Sequence, residues 1–195
     1  MTRADFQQAI TVEPLGDLRM PSGRIVVCDP MWLGTPDLPV LAEQVEPDKY
    51  AVSAVKLTTA FSDNPESTWS EIAALRVSFR AAEPVAWEYA RLADRDPEAF
   101  FRYPVDTGLA CIVDAAASDA LSEGVAFNDL GDACGDWSAI PAVVTDPGTG
   151  QAVAVSTSGA GDGFYPIWLG RDADGQVGCV VTTFLHDSIK GTGSQ

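Results

Sequence analysis

From residue 141 to 185 the chain breaks into four short apolar runs, 141–145, 152–157, 165–169 and 177–185, separated by segments rich in glycine and aspartate. Runs of this length, rich in Val, Ile, Thr and Tyr, are too short for helices and read as strands. Asp146-Pro147-Gly148-Thr149-Gly150 turns between the first two. Asp172-Ala173-Asp174-Gly175 turns into the last, and Asp174-Gly175 predicts a two-residue hairpin loop. Between the second and third runs lies Ser158-Gly159-Ala160-Gly161-Asp162-Gly163, a glycine-dense loop with one carboxylate. A strand cannot continue through alternating glycines without losing packing on one face. At least one of them is expected at positive φ, with the loop packed against Ser22-Gly23 and Asp29-Pro30 and Asp162 accepting backbone N–H groups.

The same punctuation extends upstream. Strands are expected at 24–28, at 50–59, at a segment ending near Arg80, at 84–90 and at 109–113. Residues 68–79 fit a helix or a strand, and the alternation Leu75-Arg76-Val77-Ser78-Phe79-Arg80 favours the strand. Short helices are expected near 5–10, from Asp96-Pro97 onward, and at 115–121, with loops at 32–41, 64–67 and 129–137. This is a β-rich α+β pattern: a mostly antiparallel sheet or sandwich with a few short helices. At 195 residues and 46% hydrophobic content the chain suits a single domain, 1–195, with its core over about 18–187 and a polar tail at 188–195.

Composition removes several functions. Net charge is −16, and no Lys or Arg occurs between Tyr103 and Gly170. A phosphate backbone would be repelled, so nucleic acid is not expected as a partner, whereas a basic protein or peptide would be attracted. No run is long enough to span a membrane, and residues 1–20 lack the apolar stretch of a secretory signal; a cytoplasmic location is expected. Cys28, Cys111, Cys134 and Cys179 are scattered, which fits core thiols in a reducing compartment better than zinc. His186 is the only histidine, and no nucleophile elbow or dinucleotide fingerprint accompanies it.

The remaining candidates are Asp29, Asp106, Asp114 and Asp162, with Gly161 and Gly163 beside the last. Each aspartate ends a predicted strand or sits in a glycine turn. Gathered at one rim they would bind Mg²⁺ or Ca²⁺; taken singly, each would close a turn through its own backbone.

Three blocks carry a family resemblance. They are Pro21-Ser22-Gly23-Arg24-Ile25-Val26-Val27-Cys28-Asp29-Pro30, then Val105-Asp106-Thr107-Gly108 with Asp114, then 158–166 leading to Gly170 and the closing strand. In order and content they resemble the bacterial domain of unknown function 4241 family over roughly 18–185. The resemblance implies one domain and brings no activity with it. With no nucleophile–base pair and no cofactor motif, the expected function is a cytoplasmic, non-catalytic binding or interaction domain with an acidic face. The alternative is a metal-assisted hydrolase built on the four aspartates.

Overall fold

The computed structural model describes residues 6–61, 64–96, 101–124 and 140–185. In chain order its elements are β1 (Phe6–Met20), β2 (Arg24–Cys28), β3 (Val40–Gln44), β4 (Asp48–Phe61), β5 (Asn64–Ser78), β6 (Ala86–Tyr89), β7 (Arg102–Val105), β8 (Leu109–Asp114), α1 (Ala115–Gly124), β9 (Ala142–Thr145), β10 (Ala152–Thr157), β11 (Gly163–Arg171) and β12 (Val177–Thr183). They form two antiparallel sheets. The larger runs β1-β4-β5-β12-β11-β6, with β7 also paired to β11; the smaller runs β3-β2-β8-β10-β9.

The sheets face each other across one apolar layer. Leu18, Leu75, Val77, Ile167 and Val180 enter it from the large sheet and Ile25, Val27, Ile112 and Ala154 from the small one. Each such Leu, Ile or Val contributes about 1.5–3 kcal/mol on burial. The small sheet is buried on its other face as well, where Val26, Cys28, Cys111, Val113 and Val155 pack under Leu33, Ala117 and Leu121. Burial on both faces explains why β2 and β8 read as continuous apolar runs rather than alternating ones. It also explains α1, whose Ala117 and Leu121 supply the cover.

The β-rich sandwich expected from the sequence is therefore observed, with several local corrections. Residues 6–10 are not a helix. They begin β1, whose Ile10-Thr11-Val12 run suits a strand and pairs along the whole length of β4. Residues 64–67 are strand too, opening β5; β3 begins within the 32–41 segment expected as loop, and β7 is a strand the sequence reading did not anticipate. The expected helix after Asp96 falls largely on 97–100, outside the described residues, as does His186. The 172–175 turn is also not a two-residue loop. Gly175 alone takes positive φ (76°), and the Asp172 N–H donates to the Gln176 carbonyl at 2.9 Å, closing a longer turn with a glycine bulge.

The registers give the molecule two ends. Ser22, Asp48, Asp114 and Asp172 lie at one, where β1, β5, β8 and β11 finish and β2, β4 and β12 begin. Asp29, the 106–108 turn and the glycine loop lie at the other, beyond which β1, β4 and β5 continue as a three-stranded arm.

Candidate functional site

Asp29 follows the last residue of β2 and is fully buried. One carboxylate oxygen accepts the Met31 N–H at 2.9 Å and the other accepts the N–H groups of Asp106 and Thr107, also at 2.9 Å. The Thr107 hydroxyl donates to the same carboxylate. Asp29 thus caps its own turn and ties down the turn between β7 and β8. Asp114 does the equivalent work at the opposite end: it accepts from the Ser22 N–H and hydroxyl and from Ala116 N–H, so it caps α1 and closes the turn before β2.

These two carboxylates do not converge. Ile25 pairs with Asp114 and Cys28 with Cys111, so the length of β2 separates Asp29 from Asp114. Asp106 and Asp162 each lie one residue beyond the last β7–β11 pair, Gly163 opposite Val105, and both are exposed. The structure therefore leaves two of the four aspartates exposed at one end of that strand pair and buries the other two as turn staples. No cluster of three metal-ligating side chains occurs among the described residues.

The glycine loop behaves as expected in its backbone, with Gly159 at φ 64° and Gly161 at φ 89°. Its neighbours differ from the expectation. The Ser158 N–H donates to the Gly108 carbonyl at 2.9 Å, so the loop reaches Asp29 through the 106–108 turn. Ser22-Gly23 sits at the far end of β2 and cannot meet the same loop. Asp162 points outward, and the loop is instead closed on the Gly161 carbonyl, which accepts the Ser158 and Tyr165 hydroxyls at 2.6 and 2.7 Å.

The site that sequence reading missed is a cleft of about 720 Å³ at the Ser22 end. It is assembled from the β3–β4 connection, the start of β4, the segment after β5 and the β11–β12 turn. Tyr50 and Phe79 form its aromatic wall, edge to face with ring centres 5.0 Å apart. The Tyr50 hydroxyl donates to the Glu46 carbonyl, which folds the 46–50 segment over the wall. Five charged side chains line the cleft: Glu43, Glu46, Asp48, Arg80 and Arg171. Arg171 is committed to Glu43 and Glu88, both at 2.6 Å, and Arg80 lies 3.8 Å from Asp172. Glu46 and Asp48 have no ion-pair partner among the described residues. Their field is felt locally. Burial raises the Tyr50 hydroxyl above its ordinary value, Asp48 and Glu46 raise it further, and Arg80 opposes them.

A family model described as protein of unknown function (DUF4241) matches residues 18–182. The chain belongs to that family. The matched stretch contains both aspartate staples, the glycine loop and the cleft, and it begins after the first twelve residues of β1, 6–17. No curated protein and no solved structure matches the chain. No helix among the described residues is long and apolar enough to cross a membrane.

Proposed function

We propose that this DUF4241 chain is a non-catalytic binding domain that receives a basic segment of a partner protein in the Tyr50–Phe79 cleft. The observation carrying this reading is that Glu46 and Asp48, without ion partners among the described residues, stand beside an aromatic wall in a cleft of about 720 Å³. An arginine or lysine suits such a place on both counts. Its charged head meets the carboxylates while its methylene stem and cationic face lie along the rings. The chain's net charge of −16 would speed the encounter and make it salt-sensitive. Arg80 and Arg171 set the limit of the site, since their own carboxylate neighbours occupy them and a segment rich in acids would be repelled by the rest. The buried thiols Cys28, Cys111 and Cys179 fit a reducing compartment, and we place the protein in the cytoplasm.

The test is calorimetric titration of the intact chain with an arginine-rich peptide at low and high salt. Binding at low salt that weakens by about tenfold or more in Glu46→Lys/Asp48→Lys, roughly 1.4 kcal/mol per tenfold, supports the reading. An unbound peptide at low salt contradicts it.

A further inference from the structure

Among the described residues β1 ends the large sheet and pairs with β4 alone. Its two halves are guarded very differently. Residues 13–20 carry the devices that keep a sheet edge from pairing: the charges of Glu13, Asp17 and Arg19, Pro14 without an N–H, and a register shift at Gly16. Residues 6–12, Phe6-Gln7-Gln8-Ala9-Ile10-Thr11-Val12, carry none. They present an uncharged, unbulged edge of roughly 24 Å at about 3.4 Å per residue. On the outer face of this stretch Ile10 and Val12 are 45% and 51% exposed. Opposite them lie Leu57 and Val55 of β4, which continue into the apolar cluster on the outside of the large sheet.

We infer that residues 6–12 of β1 pair antiparallel with the same segment of a second copy, joining two large sheets edge to edge. The open backbone groups specify an extended strand as the occupant. The charge pattern selects which strand. A charged strand of either sign finds no opposite charge on 6–12. A second copy offers a neutral strand with its apolar side on the same face. A two-fold pairing also closes both β1 edges at once, each satisfying the other. Registers that keep the two outer faces on one side include those that set Val12 opposite Gln8, Ile10 or Val12 itself. None of those centred within 8–12 sets Glu13 against Glu13.

Sedimentation of the intact chain over a concentration series tests this. A monomer–dimer equilibrium is expected, and added salt strengthens it by screening the like net charges. Salt would have the opposite effect on a basic partner held in the cleft, so the two readings fail separately. Ile10→Lys/Val12→Lys places edge charges at two exposed positions and is expected to give monomer at every concentration, with its thermal midpoint close to that of the parent. Hydrogen exchange on the unmodified chain supplies the second measurement, with amides of 6–12 slowed only at dimeric concentrations. A parent chain that stays monomeric overturns the inference and leaves the edge to a strand of another protein. A dimer that survives both lysines, or one without slowed exchange at 6–12, overturns it equally.

Discussion

At the scale of single residues, two buried aspartates do structural work. Asp29 gathers three backbone N–H groups and a hydroxyl from two separate turns. Asp29→Ala leaves those N–H groups buried without acceptors, at roughly 1–3 kcal/mol for each group left unpaired. We expect a loss of at least about 3 kcal/mol in a urea unfolding series, several times what an exposed aspartate such as Asp162 would cost. Equal losses at the two sites would refute the staple. Three other buried groups set the alkaline limit. The Cys28 thiol is pushed up by its hydrogen bond with Cys111 across the strand pair and by burial, and Cys179 is raised by burial. Burial also raises Tyr103 well above its ordinary range, against the opposing hydrogen bond to Thr182. For an acid whose folded pKa exceeds its unfolded one, stability is intact below the unfolded pKa and falls as pH rises past it. Stability should therefore hold near neutrality, decline above about pH 8.5, where unfolded thiols ionise, and steepen above about pH 10, where unfolded tyrosine does. Tyr103→Phe should flatten only the upper portion of that curve. A flat profile to pH 11 would show that these groups do not favour the neutral form.

Among the elements, the glycine loop shows why position matters more than residue type. A Cβ on Gly159 would lie 2.5 Å from the Ile72 carbonyl, whereas one on Gly161 meets nothing within 4 Å. Both glycines take positive φ, so both alanine variants bear the left-handed penalty of roughly 1–2 kcal/mol, and only Gly159→Ala adds a backbone clash. Thermal melts should rank Gly159→Ala well below Gly161→Ala, and the reverse order would misplace the loop. The same dependence decides what was legible in the sequence. β2, β8 and β10 were legible because their surroundings bury both faces and leave unbroken apolar runs. β7 was hidden by Pro104, which is tolerated because β7 lies off the main strand order and, among the described residues, pairs only with β11. β1 was hidden because its distal half alternates an exposed apolar face with polar residues and carries no turn signal until Pro14. Asp29 and Asp114 stood out correctly as strand-end carboxylates. Their separation follows from the β2–β8 register, which no local pattern encodes.

For the molecule as a whole, two ends divide the labour: one is stapled around Asp29 and bears the arm, and the other opens into the cleft. The cleft was invisible in the sequence because its lining comes from Ser22, 43–50, 79–80, 171 and 175–177, segments joined only by the order of strands in two sheets. Charge counting along the chain pointed elsewhere, to 103–170. In that stretch Asp114 is buried and Asp146 closes its own turn with Thr149, which holds its carboxyl below the usual range. The central claim is that a basic segment docks against Tyr50 and Phe79 between Glu46 and Asp48. The most direct measurement is a backbone amide NMR titration of the intact chain with an arginine-rich peptide at low salt. The account predicts saturable shifts at 43–50, 79–80 and 175–177 that disappear at high salt and in Glu46→Lys/Asp48→Lys. Shifts centred on Asp106 and Asp162 at the opposite end, or a spectrum the peptide leaves unchanged, would contradict it.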